Sequence, residues 1–382
     1  MTSEERKEAR YQRRKAKRDA ARMKRSRECG DFEEVFSFRH LYLAGKKCAK
    51  GVYWKNSTQR YIGNLIPNTA RTWRDLSNGT FKHRGFHEFN LIERGKMRHI
   101  RSVHISERVV QKALCDYCIV PIFSASFIYD NSASLKGRGM DFALRRVVTM
   151  LERHYRKYGL EGGVLVYDFH GYFDNAPHAP LFREAERRIH DPRLIEVSNS
   201  FIHDFGEIGL GLGSQVSQTN ALLLPNRIDH FFKEQLRIKG YERYMDDGLA
   251  LHHDLDYLYF CYDCLILLSQ ETGIELNMKK TMVIPLREFF RFLKTKFIIT
   301  PNGKVIRKMN RYSTTLMRRK YRSFKRLLDE GKMSFSEIRS PHESYHGHMK
   351  RGNSFKVRES TNQYFKTVFG FYPNKKGWST HV

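Results

Sequence analysis

"GYERYMDDGLALHHD", Gly240 to Asp254, sets two aspartates side by side between two short apolar-aromatic runs. Adjacent carboxylates repel, so folding alone gives no reason for Asp246 and Asp247 to be neighbours. The flanks read as strand, tight turn, strand, which predicts a β-hairpin with the acids at its tip. Aspartate suits turns, so a lone "DD" would be an ordinary turn dipeptide. Two features weaken that reading. The turn is bounded by Tyr244 and Met245, and a second strand-like run, "GGVLVYD", also ends in an acid, Asp168. Carboxylates converging from two strands of one sheet suit hard divalent cations, which take oxygen ligands and keep substrate phosphates in their shell. Two such ions about 3.5–4 Å apart can activate a hydroxyl and stabilise a leaving pyrophosphate.

The chain around this hairpin is strongly basic. Its 382 residues carry 69 Lys+Arg against 41 Asp+Glu, a formal net charge of +28. That surplus concerns partners rather than fold, and nucleic acid or an anionic membrane are the usual ones. No apolar run approaches the roughly 20 residues of a spanning helix. The N-terminus lacks the apolar core of a signal peptide. Nucleic acid in a cytoplasmic setting is therefore the expectation, with no membrane partner. At 40% hydrophobic residues the chain can bury a large core, in two or three lobes. Its six cysteines include Cys115-x-x-Cys118 and Cys261-x-x-Cys264. Zinc knuckles sit in Gly-rich polar turns, whereas both pairs lie in apolar runs that read as buried helix, so they are taken as small hydrophobes.

Residues 1–28 hold twelve Lys/Arg and five Asp/Glu, as a solvated basic arm or a single helix that orders on RNA. Strand-like segments before residue 104 run into a helix, and residues 101–160 are mainly helical. "GLGLGSQVSQTNALLL" is a Gly-rich loop opening a helix. A helix over 255–271 is followed by short strands in "GIELNMKKTMVI", "FFRFLKTKFIIT" and "KVIRKMN", and the rest is helical. Between Glu288 and Asp329 there is no acid but thirteen Lys/Arg, with aromatics interleaved. Such a surface can track a phosphate backbone.

The ordered set Asp168-Phe169-x-x-x-Phe173, Gly213-x-x-x-Ser217-Gln218 and Tyr244-Met245-Asp246-Asp247 resembles reverse transcriptases. "GKMRHIRSVHISERVVQKAL" looks like the leading finger segments of bacterial members. "LNMKKT" and "FRFLKTKF" resemble the later palm motifs, and "YHGHM" more loosely a thumb segment. The likeness covers about residues 90–300. Gln218 stands where group II intron and retroviral enzymes usually have proline, a form similar to the enzymes of diversity-generating retroelements.

The resemblance implies an α+β right-hand polymerase fold: a basic N-terminal extension (1–30), fingers and palm with an antiparallel sheet (31–300), and a basic helical thumb (301–382). It implies an RNA-directed DNA polymerase, error-prone if of the diversity-generating kind. The alternatives are an antiphage-defence reverse transcriptase using a noncoding RNA template, a non-catalytic RNA-binding scaffold with this fold, and an RNA-dependent RNA polymerase. Asp168 and Asp246 would ligate two Mg²⁺ ions, with Mn²⁺ as a substitute. Asp247 would support the site, and the Phe169 carbonyl would complete a coordination sphere. Phe173 would exclude the ribose 2′-hydroxyl and favour dNTPs. Gln218 would sit near the templating pair, and Lys280 would neutralise or protonate pyrophosphate. Lys136 and Arg138 would grip the triphosphate, because Leu135 replaces the arginine usual in relatives. Lys96, Arg98, Gly213, Ser217, Tyr244, Met245, Arg318 and Arg322 would contact template and primer. Lys294 replaces a glycine of the primer-grip turn. The implied partners are a structured template RNA, the cDNA product, dNTPs and a small helical accessory protein or second subunit, in a bacterial or phage-encoded system.

Overall fold

The structure is a computed structural model that describes residues 2–93 and 96–381, apart from the side chains of Glu93, Lys96 and Arg98. Its strands in chain order are β1 (Phe86–Glu93), β2 (Lys96–Val103), β3 (Gly163–Asp168), β4 (Gly240–Tyr244), β5 (Asp247–His252), β6 (Met282–Pro285), β7 (Phe290–Phe292), β8 (Thr295–Ile299) and β9 (Val305–Lys308). The chain divides into two compact units, each discontinuous in sequence.

The first unit holds Met1–Lys136, Phe169–Gln235 and Leu265–Leu276. It is mainly helical, with the antiparallel β1–β2 pair. The basic N-terminus forms one helix, Ser3–Cys29, started by a capping box between Thr2 and Glu5. Such reciprocal bonding satisfies two otherwise orphan backbone donors. Only Ser26 of this helix is buried, so its charged residues remain in water. The core gathers Leu41, Val109, Val110, Leu114, Phe123, Phe201 and Val216. The Cys115–Cys118 pair is buried there in a π-turn, Cys115–Ile119, rather than in a regular α-helix. Pro121 explains the widening. It has no N–H for the carbonyl four residues back, and its ring crowds that turn. The Val120 N–H reaches Cys115 O instead. Of the second pair, Cys261 is buried and Cys264 half-buried.

The second unit holds Gly137–Asp168, Leu236–Cys264 and Asn277–Val382. A four-stranded antiparallel sheet runs in the order β4-β5-β3-β6. β3 is central and buried throughout, which is why "VLVY" reads as an unbroken apolar run. Val164, Val166, Leu249 and Leu251 join Ala143, Leu144, Val147 and Leu151 of the helix Met140–Tyr158 in one core. Register is fixed at two close approaches. A Cβ on Gly162 would lie 2.1 Å from His252 O, and one on Gly248 only 1.9 Å from the ring of its cross-strand partner Tyr167. The Tyr167 hydroxyl, 2.6 Å from that of Tyr241, ties β3 to β4 beyond the strand between them.

The expected strand in "GIELNMKKTMVI" is shorter than its apolar pattern implied. Only Met282–Pro285 pairs with β3, because Asn277 to Thr281 close a tight turn. β9 pairs with β8 in a second sheet, β7-β8-β9, so the segment after residue 300 begins with a strand. Beyond it the helices Arg311–Asp329, Phe335–Met349, Phe355–Phe369 and Lys375–His381 share an aromatic core of Tyr321, Tyr345, Phe365, Phe371 and Trp378.

β7 and β8 are joined by two residues, Leu293 and Lys294, with φ of +49° and +62°. This backbone favours glycine and costs an L-residue roughly 1–2 kcal/mol. Lys294 thus sits in a backbone conformation that glycine takes at less cost, and its side chain is exposed. Lys294→Gly is expected to raise stability by about 1 kcal/mol in urea denaturation, with an unchanged m-value.

Candidate active site on the β3–β5 carboxylates

β3 ends and β5 begins with an acid, and the register sets Asp168 directly opposite Asp247. Directly opposed residues of an antiparallel pair present their side chains on the same face. Tyr244 pairs with Asp247, leaving Met245 and Asp246 as a two-residue turn. Met245 has φ +55°, an uncommon conformation for a non-glycine residue. Arg243, fully buried in β4, holds this turn by donating from Nη1 to Met245 O at 2.9 Å.

Asp168 is the most tightly held of the three acids. Lys280 Nζ lies 2.9 Å from each of its carboxylate oxygens. Asn277 donates from Nδ2 to Oδ1 at 3.1 Å and from its backbone N–H to Asp168 O at 2.8 Å. Lys280 reaches back because its N–H bonds to Asn277 O, which closes the turn. Burial works against its ammonium, but the hydrogen bond and charge of Asp168, with Asp247 and Asp246, hold it above the usual lysine value.

The other two acids are electrostatically uncomfortable. Burial and the neighbouring charges of Asp246 and Asp168 push the Asp247 carboxyl up to about 7, and a hydrogen bond with Asp168 adds to this. Burial, with the Asp168 charge, raises Asp246 as well. Oxygens from all three acids do not meet within 4.8 Å of one another. Among the described residues only His83, Glu107 and Asp204 do so, in the first unit. There His83 Nδ1 stands 2.6 Å from Asp204 and the Arg84 N–H donates to Glu107, so the cluster brings separate segments of the first unit together. Lys280 and Asp247 both bond Asp168, and Asp246 follows in the turn, so the three acids supply oxygen donors at one end of the sheet. That donor set fits hard divalent cations.

The remaining expected residues fall in several places. Phe169 forms a backbone bridge with Leu276. Phe173 is half-buried and lines a cavity of about 230 Å³ with Arg101, Phe205 and Gly209. Gly209 has φ +92° and lies so close to Asp174 O that a Cβ would stand 2.7 Å away. Tyr172 is buried and donates to Ala221 O, a core role. Gly213 and Gln218 are exposed at the loop and first turns of the helix Gln215–Leu223, whereas Ser217 is buried. All of these lie in the first unit. Lys136 is exposed, and Arg138 stands over the Phe142 ring at 5.8 Å. The side chains of Lys96 and Arg98 lie outside the described residues. Arg318 donates to Ser360 Oγ at 2.7 Å and covers Tyr364, so it clamps two helices, while Arg322 is exposed. Asn277 and Arg243 were not anticipated. A buried Glu242-Arg243 pair in a short strand beside two aspartates was the available signal for one, and an asparagine three residues before Lys280 for the other.

No protein-family model and no curated protein matches the chain. Its structural neighbours are telomerase reverse transcriptases. The telomerase of Candida albicans, solved with a TWJ fragment of telomeric RNA, aligns with a TM-score of 0.50 at 12% identity, over 81% of this chain and 61% of that one. The Candida tropicalis enzyme with the same kind of fragment gives 0.44 at 15%, over 78% and 56%. Its apo form, truncated of the C-terminal domain, gives 0.46 at 13%, over 59% and 55%. The chain thus spans 55–61% of the length of these structures. The likeness to the Candida albicans enzyme shows the fold alone, that of a reverse transcriptase.

The raised Asp247 carboxyl sets a pH dependence. Its folded-state value, about 7, exceeds the 3.8 of a free aspartate. The stability it contributes is complete below about pH 4 and is lost as pH rises through 7, by on the order of 1.4 kcal/mol per unit crossed. In buffers free of divalent cations, the melting temperature is expected to fall between pH 5 and pH 8. Asp247→Asn should flatten that fall and melt higher than wild type at pH 8.

Proposed function

We propose that the chain is an RNA-directed DNA polymerase that extends a primer with dNTPs on an RNA template. The observation that carries this reading is the Asp168–Asp247 pair at one sheet end, with Asp246 beside it and Lys280 against Asp168. A binding scaffold gains nothing from three mutually repelling acids in a chain of +28. The likeness to telomerase reverse transcriptases in fold supports the same reading.

Asp168 and Asp246, supported by Asp247, would hold two Mg²⁺ ions, which when bound lower the pKa of a primer hydroxyl and stabilise the charge of departing pyrophosphate. The protein's own groups supply the rest. Arg243 fixes the turn carrying Asp246. Asn277 holds the end of β3, so that Asp168 presents both oxygens on one side. Lys280, kept protonated by the acids, is placed to exchange Asp168 for a phosphate oxygen and to donate a proton to the leaving group. Phe173 would set sugar selection by lying where a 2′-hydroxyl would project, and Phe169 would offer its carbonyl.

Among reverse transcriptases, Gln218 favours an enzyme of the diversity-generating kind, whose product is a cDNA and whose partners are a structured template RNA and a small accessory protein. Its exposure at the start of the Gln215–Leu223 helix leaves it available to a template strand.

Asp246→Ala with Asp247→Ala is expected to reduce dNTP incorporation on an annealed RNA template and DNA primer at least about 10³-fold. Undiminished incorporation sinks the reading. Phe173→Ala should leave dNTP use in place while narrowing its preference over rNTPs, measured as a ratio of kcat/KM. A wild type that prefers rNTPs favours an RNA-dependent RNA polymerase instead.

A further inference from the structure

One cavity of the first unit is lined by arginine, and none of the three acids lines it. Its volume is about 890 Å³, within the range of roughly 300–1,000 Å³ common to ligand sites. One wall is the N-terminal helix, where Arg18, Arg22 and Arg25 recur at helical spacing. The facing wall offers Arg183, Arg187 and Arg188, and Arg227 closes one end. Three glutamates share the lining, Glu184, Glu234 and Glu271. Glu184 pairs with Arg187 and Arg188, Glu271 with Arg227 and Glu234 with His230. Arg18, Arg25 and Arg183 have no carboxylate partner among the described residues, and Arg22 has only Asp19 of its own helix. Seven guanidiniums against three carboxylates leave a surplus of four positive charges in one concavity.

The floor is of a different character. Ile122, Phe127, Pro180, Leu223 and Leu224 present apolar surface between the charged walls. Arginine walls over an apolar floor match a strand of nucleic acid: guanidiniums take phosphate oxygens two at a time, and unstacked bases take the floor. A simple anion would have no use for the floor, and an apolar ligand none for the walls. A helix whose charged faces are nearly all in water gains little from packing, and an anionic strand between the two arginine rows would neutralise the repulsion across them.

We propose that this cavity, which none of the three acids lines, binds a few unpaired nucleotides of an RNA strand. That the strand is RNA rests on the polymerase reading above; that the cavity takes a nucleic-acid strand rests on its walls and floor alone. Nucleotides held here would anchor a structured RNA through the N-terminal helix.

The test uses the full-length protein and a labelled oligouridine, with an oligothymidine of equal length as the second probe. Arg18→Gln, Arg22→Gln and Arg25→Gln are combined. The control removes the same charge from the far end of that helix: Arg6→Gln, Lys7→Gln and Arg10→Gln. The cavity variant is expected to bind the oligouridine at least about 10-fold more weakly near 0.15 M salt. Its slope of log K against log salt should shrink by about 2, the value for three phosphate contacts on a single strand. The control should keep wild-type affinity, and circular dichroism should show equal helix content in all three proteins. Equal weakening in both variants overturns the site, since total charge alone would then bind the strand. Preference for oligothymidine overturns its assignment to RNA. Incorporation on a pre-annealed template and primer is measured alongside. Binding lost only in the cavity variant, with no incorporation even by wild type, retires the polymerase reading and leaves the site standing.

Discussion

Carboxylates held close together in a half-buried place repel, and everything around β3 and β5 is arranged to withstand that repulsion. Asp168 and Asp247 oppose each other because the register is locked, and it is locked where side chains have been removed. Gly248 leaves room for the Tyr167 ring, and Gly162 lets the chain pass the carbonyl of His252. A slip of one residue would turn every buried side chain of these strands outward. The acids are thus kept in place by apolar burial below them. Lys280, Asn277 and Arg243 then work on top of that frame, each bonding an acid or the turn that carries one.

Much of this was legible in the sequence. The hairpin at Tyr244–Asp247 showed itself because short apolar runs flank a polar pair, and β3 because an unbroken apolar run cannot lie at a surface. The convergence of Asp168 with the hairpin followed from both runs ending in acid. What escaped had a physical reason each time. "GIELNM" has strand-like alternation, yet it makes only an isolated bridge, Leu276 to Phe169, before the turn at residues 277–281, so regular pairing with β3 starts at Met282. The π-turn at Cys115–Ile119 depends on a proline two residues beyond it, which a reading by helical period passes over. Arg318 sat in a basic run expected to track template and primer, and its bond to Ser360, which joins two helices, has no signal in that run.

The arginine cavity was invisible for another reason. Arg18 and Arg183 are far apart along the chain, and nothing in either neighbourhood announces the other. Only the packed first unit sets the two rows across one concavity, over a floor supplied by a third and a fourth segment. Charge composition alone said that a polyanion should bind somewhere. Geometry distinguishes this place from the basic run after Glu288, where Arg318, Lys325 and Arg326 already bond neighbours on their own or an adjacent helix.

The turn at Met245 and Asp246 bears on how such a chain changes over generations. A two-residue hairpin loop is most comfortable with Asn-Gly, and here it carries a methionine in a left-handed backbone followed by a charged acid. Folding would be served by replacing both. Under purifying selection for stability alone, these two positions would be among the first to drift. On the polymerase reading the turn is kept for its acid rather than for folding, and a descendant without that chemistry would be recognisable by a relaxed, glycine-bearing turn in its place.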